Sequence, residues 1–164
     1  MLTRALVIAA FVFVLDRASK FWIVEVLDLK NIYFIEVVDP FLNLTMAWNR
    51  GINFGLFDMG DAGRWVLIAL ALAIVVAVLV WLRKREDTGA AVGAGLVVGG
   101  ALGNVWDRVQ YGAVADFINM SCCGFRNPFA FNVADAAIFA GVAVLFIFVR
   151  DHADDGPDGS RDGA

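Results

Sequence analysis

Between Arg64 and Arg83 the chain runs through 18 consecutive uncharged, mostly aliphatic residues, 65–82. At 1.5 Å per helical residue this stretch covers about 27 Å, close to the roughly 30 Å hydrocarbon core of a bilayer. A segment of this kind has few soluble fates, and three others resemble it. Residues 88–106 are uncharged, and residues 128–149 carry one charge, Asp135. The stretch from Leu2 to Val24 is apolar until Asp16, Arg17 and Lys20 interrupt its second half. Composition agrees: 60% of the 164 residues are hydrophobic, 18% are charged, and the mean hydropathy is +0.73. Soluble domains lie nearer 45–50% apolar and about 25% charged. A disordered chain, a disulfide scaffold and a soluble enzyme are therefore excluded, and an all-α membrane bundle of four spans is expected. The expected spans are about 3–24, 64–82, 88–108 and 128–149, within a single membrane domain of residues 1–150. Pro128 suits a helix start. Met1–Arg4 followed by Ala5–Leu15 resembles a signal peptide. No small-x-small cleavage site follows, so a retained first span is expected.

Gly95, Gly99 and Gly103 recur every four residues on one face of the third span, which lets another helix approach closely. The net charge of −4 comes wholly from residues 151–164, which hold five Asp and one Arg. They read as a disordered, acidic cytoplasmic tail. No basic patch interleaved with aromatics is present, so no nucleic-acid partner is expected.

The Arg83-Lys84-Arg85 triplet in the short loop after the second span marks that loop as cytoplasmic, which places both termini inside. The polar residues within the spans then gather toward the outer leaflet: Asp16 and Lys20, Asn104, Asp107 and Arg108, Asn132 and Asp135. The outer connections, about 25–62 and 109–127, add Asn49 and Asp116. Asn31–Val38, Leu42–Trp48 and Ala113–Ile118 read as strands of a small outer-face sheet. The sheet is expected mainly between spans 1 and 2. Polar groups at membrane depth usually mark a site.

The residue inventory narrows the chemistry. The sole histidine, His152, lies in the tail, which leaves no Ser-His or Cys-His site and no zinc ligand set. Cys122 and Cys123 are adjacent and form no CxxC motif, and Ser19 and Lys20 are sequential, pointing about 100° apart on a helix. Carboxylates remain. Asp16, beside Arg17 and at i, i+4 to Lys20, and Asp107, beside Arg108, read as structural ion pairs. Asp116 has no Lys or Arg within seven residues, and Asp135 has none within eight. Two such carboxyls close together in a low-dielectric site share one proton, supplying an acid and a base. If they are apart, both are simply wet boundary residues. A transporter with acidic coupling groups and a non-enzymatic assembly factor are the rival classes; the former places its carboxylates near the midplane.

The run Gly100-Ala101-Leu102-Gly103-Asn104-Val105-Trp106-Asp107-Arg108, followed by Gly112, Asp116-Phe117 and Phe131-Asn132-Val133-Ala134-Asp135, resembles the bacterial lipoprotein signal peptidases, or signal peptidase II family. Asp16-x-x-x-Lys20 and Asn49-x-Gly51-x-x-Phe54-Gly55 fit the same resemblance, which extends from residue 16 to about 135. It implies an aspartic endopeptidase of the bacterial cytoplasmic membrane, with its active site toward the outer face. The enzyme would cleave the signal peptide just before a diacylglyceryl-modified Cys. It implies Asp116 and Asp135 as the catalytic pair, with Asp16, Lys20, Asn49, Gly51, Asn104, Asp107, Arg108 and Asn132 binding substrate or supporting the site. It implies a lipid-modified prolipoprotein and membrane lipid as partners, a monomer, and neither metal nor cofactor. Asn53 departs from the family, which usually has a small residue there.

Overall fold

The computed structural model describes residues 1–51, 61–125 and 127–151. Asn53, the Phe54-Gly55 pair and the tail from His152 onward lie outside the described residues. Four long helices and a three-stranded antiparallel sheet make up the fold. Helix α1 (Leu2–Lys20) continues through a wider π-helical stretch, Phe21–Val26, and is followed by a helical turn, α2 (Leu29–Ile32). Strands β1 (Phe34–Val38) and β2 (Leu42–Asn49) precede α3 (Asp61–Leu82) and α4 (Thr88–Tyr111). Strand β3 (Val114–Met120) and α5 (Val133–Asp151) complete the chain. Helices α3 and α4 are long and apolar enough to cross a membrane, and the apolar part of α5, Val133–Phe148, is shorter.

Helix α4 is the hub, packing against α1, α3 and α5. Its glycines make this possible. A β-carbon on Gly95 or Gly99 would lie 2.8 Å from the Ala5 carbonyl oxygen or 2.6 Å from that of Ala9, so α1 rests directly on the α4 backbone. On another face, a β-carbon on Gly93 would lie 2.9 Å from the Gly141 carbonyl oxygen of α5. The pairings rise together along α1 and α4 and run oppositely along α4 and α5. Leu82 packs beside Ala90 and Ala91, and Val75 clusters with Val98, so α3 is antiparallel to α4 as well. The C-terminal ends of α1 and α4 and the N-terminal ends of α3 and α5 therefore meet at one end of the bundle, where the sheet sits. Large apolar side chains such as Phe11, Val14 and Phe146 point away from the bundle, and Phe139 is 82% exposed.

Several expected boundaries move. The fourth long helix starts at Val133, not at Pro128. Phe131 is drawn into an antiparallel bridge with Ile118, donating its N–H to the Ile118 carbonyl (3.0 Å) and accepting one in return (2.8 Å). That pairing holds the approach extended. The strand expected from Asn31 begins at Phe34, because the preceding residues close a helical turn that ends in the left-handed Tyr33 (φ 62°). Helix α4 passes Arg108 and stops at Gly112, whose φ of 77° suits a residue without a β-carbon. The third strand, expected at Ala113–Ile118, runs Val114–Met120 and joins the sheet from the chain between α4 and α5, giving the order β1-β2-β3.

Candidate active site

Strand alternation aims the first carboxylate. Ala115 and Phe117 of β3 face Val24, Leu29 and Met46, forming the apolar layer beneath the sheet. Asp116, between them, therefore faces the opposite way. It is 3% exposed. In the β2–β3 pairing Ala47 stands opposite Asp116, and Asn49 lies two residues along the same face. Asn49 reaches diagonally to donate its Nδ2 to Asp116 Oδ2 (3.0 Å). Gly51, at φ 91°, turns its N–H onto Asn49 Oδ1 (2.8 Å), fixing which end of the amide faces the carboxylate.

Helix capping aims the second. Asn132 caps α5, its Oδ1 accepting the Asp135 N–H (2.9 Å), while Asp135 Oδ2 accepts the Asn132 N–H (3.3 Å). This reciprocal capping box locks Asp135 into the first turn. The Asn132 side chain is fully buried and donates Nδ2 to Asp116 Oδ1 (2.6 Å). One asparagine thus holds both carboxylates. Asn104 of α4 closes the network, donating Nδ2 to Asp135 Oδ1 (2.8 Å) and accepting from Asn132 Nδ2 (3.3 Å) and from Lys20 Nζ (3.5 Å). Burial, and then the neighbouring charge of Asp135, push the Asp116 carboxyl up to about 6, against the pull of the Asn49 and Asn132 donors and of Lys20.

Behind this layer Asp16 and Asp107 are completely buried. Lys20 Nζ joins them, 3.0 Å from Asp16 Oδ1 and 2.6 Å from Asp107 Oδ2. Arg17 Nη2 does the same, 2.7 Å from Asp16 Oδ2 and 2.5 Å from Asp107 Oδ1. The expected pairing of Asp107 with Arg108 does not occur. Consecutive helical residues point about 100° apart, and Asp107 turns inward to α1. Arg108 instead donates Nη1 to the Asn104 carbonyl of its own helix (3.2 Å). Its Nε is buried without a partner. The side chain lines, with Asn104, the polar end of a cleft of about 230 Å³ whose walls are Leu67, Leu70, Ala71, Ile74 and Ile138. A second apolar groove of about 410 Å³, along Phe131, Ala136, Phe139 and Ala140, reaches Asp135 from another side.

The fold thus brings Asp16, Lys20, Asn49, Asn104, Asp107, Asp116, Asn132 and Asp135 into one connected network, with Gly51 and Arg108 at its edge. Cys122 and Cys123 are free and exposed in the β3–α5 connection, outside it. The sequence reading missed two things. Arg17 counted there only as a local cation for Asp16, and nothing in the sequence marks the backbone N–H groups of Ala115 and Ala134. The first donates to Asp107 Oδ2 (3.2 Å) and the second to Asp16 Oδ1 (3.1 Å).

Comparison with known proteins shows the family. Residues 8–150 match the family model for signal peptidase (SPase) II. The lipoprotein signal peptidase of Methylorubrum extorquens (strain PA1) is 46% identical over 134 residues, 81% of this chain and 77% of that protein. That of Caulobacter vibrioides is 43% identical over 144 residues, covering 87% and 84%. A solved bacterial membrane enzyme superposes with a TM-score of 0.74 at 27% identity, covering 98% of this chain and 94% of that one.

Proposed function

Because the chain belongs to the signal peptidase II family, and so is an integral membrane peptidase that removes signal peptides from prolipoproteins, we propose that its chemistry is aspartic, carried by Asp116 and Asp135. The observation that carries the reading is the bridging Asn132, whose side-chain amide holds Asp116 and whose backbone N–H holds Asp135. Two carboxyls so tethered, one of them buried and raised to about 6, can hold a single proton between them. The ionised member takes a proton from water as that water attacks the scissile carbonyl. The protonated member hydrogen-bonds the carbonyl oxygen and then protonates the leaving amine. Asn49, Asn104 and Asn132 keep the carboxylates oriented, and Arg108 lines the cleft where a substrate carbonyl would lie.

We propose further that α1, α3, α4 and α5 are four membrane spans forming one domain, 1–150, with 151–164 a cytoplasmic tail. Both termini and the Arg83-Lys84-Arg85 loop then lie inside, and the sheet and carboxylates lie at the outer boundary of the cytoplasmic membrane. The protein acts as a monomer. The two apolar clefts suit a substrate that is apolar on both sides of its scissile bond, with a signal-peptide helix on one side and a diacylglyceryl-modified Cys on the other. Lipid anchoring concentrates the scissile bond at that boundary. In a purified cleavage assay, lipidated precursor is expected to be cut at least tenfold faster than the same precursor without its lipid. Equal rates would contradict the lipid requirement.

A further inference from the structure

Resting on the reading of Asp116 and Asp135 as the catalytic pair, we infer that the ion cluster behind them is a frame that sets their separation, with Arg17 and Asp107 as positioning residues. Each buried carboxylate of the cluster accepts the backbone N–H immediately before one catalytic residue. Asp107 holds Ala115 N, next to Asp116, at 3.2 Å, and Asp16 holds Ala134 N, next to Asp135, at 3.1 Å. Arg17 and Lys20 cross-link these two carboxylates, so strand β3 and helix α5 are tied to each other through four charged side chains from α1 and α4. Arg17 Nη2 also approaches the Gly103 carbonyl (3.4 Å), and a β-carbon on Gly103 would lie 2.6 Å from Asp16 Oδ2. Asp16 therefore has no room to shift toward α4.

Charge balance supports the same role. The cluster's two cations and two anions cancel in net charge; Lys20 still pulls the Asp116 carboxyl down, whereas the leverage of Arg17 and Asp107 is geometric. Its cost is visible too, since Arg17 Nε is buried without a hydrogen-bond partner. A buried ion cluster of this kind contributes less stability than well-packed apolar side chains of the same volume. What it supplies instead is two fixed oxygen anchors for two specific backbone N–H groups. A peptide unit adjacent to a catalytic side chain transmits any slip directly to the carboxyl, and a misplacement of about 1 Å costs on the order of 100-fold in rate.

The test uses purified full-length protein and lipidated precursor, with Arg17→Met, Asp107→Asn and the double variant, and Asp116→Asn as control. Arg17→Met leaves Lys20 joining both carboxylates and is expected to fold, with kcat down about tenfold and KM within about twofold. As the pair loosens, its carboxyls couple less, so in the charge-balanced double variant the two pH limbs of kcat/KM are expected to move toward each other. Asp107→Asn is expected to lose 10- to 100-fold in kcat, and the charge-balanced double variant is expected to recover none of it. If Asp107→Asn does not fold, Arg17→Met decides. Wild-type kcat and pH limbs in folded Arg17→Met, with only a lowered Tm, would overturn the inference. So would recovery of kcat in the double variant, or both of its limbs moving in the same direction, because either outcome indicates charge rather than placement. An active Asp116→Asn control would instead overturn the catalytic pair on which the inference rests.

Discussion

Asp116 carries an unfavourable ionisation into the folded state. Its carboxyl rises from an ordinary 3.8 to about 6, chiefly because it is buried and then because Asp135 is near. The unfolded chain therefore releases this proton at lower pH than the folded one. Between about pH 4 and pH 6 the folded state binds more protons, so the contribution of Asp116 to stability falls as pH rises. Above about pH 7 the loss is complete, on the order of a few kcal/mol. Asp116→Asn removes that penalty, although one of the Asn49 and Asn132 donors then faces an amide instead of a carboxylate oxygen. The variant is expected to unfold at a higher Tm than wild type at pH 7, and the difference is expected to vanish below about pH 4. A variant no more stable than wild type at pH 7 would show that burial does not strain this carboxyl. Asp116 and Asp135 stood out in the sequence as candidates because neither has a basic residue near it along the chain. Asp107 does form ion pairs as expected, but its partners, Arg17 and Lys20, lie on α1, Arg17 being 90 residues away. Proximity in sequence pointed to Arg108, which the helix turns aside.

At the scale of elements, the α1–α4 contact does most to hold the site, since α1 brings Asp16, Arg17 and Lys20 to α4. Any side chain at Gly99 meets the Ala9 backbone, not a flexible group. Gly99→Leu is expected to force the helices apart, at about 1–3 kcal/mol or more, and to lower both folded yield and specific activity. Ala10→Leu, on an exposed face of α1, is expected to change neither. Comparing monodisperse yield and cleavage rate for the two checks this, and an unaffected Gly99→Leu would remove the contact from the argument. The glycine spacing was legible because an i, i+4, i+8 pattern needs only helix geometry. The start of α5 was not. Pro128 is a general helix-start signal, whereas the pairing of Phe131 with Ile118 depends on a strand 13 residues earlier. The Asn132-x-x-Asp135 capping box was the local signal that would have placed it. Likewise the turn Leu29–Ile32 hides in a segment whose β-branched and aromatic content reads as strand.

Across the whole molecule, four apolar segments fix the number of long helices, and their alternating directions bring every unusual polar residue to one end. That much follows from hydropathy and connectivity alone. The register of the third strand and the ties between α1, β3 and α5 do not, because they rest on contacts between distant parts of the chain. The convergence is what makes the pair Asp116 and Asp135 the centre of the proposed chemistry. Asn is nearly isosteric with Asp, and Asn132 can still reach either position, so the fold is expected to survive substitution. The most direct measurement is the turnover of lipidated precursor by purified, folded Asp116→Asn, Asp135→Asn and the double variant. Each single substitution is expected to reduce cleavage to background, and the double is expected to be little worse than either, because the two carboxyls act as a unit. Cleavage at near wild-type rate by either folded single variant would contradict the proton-sharing pair.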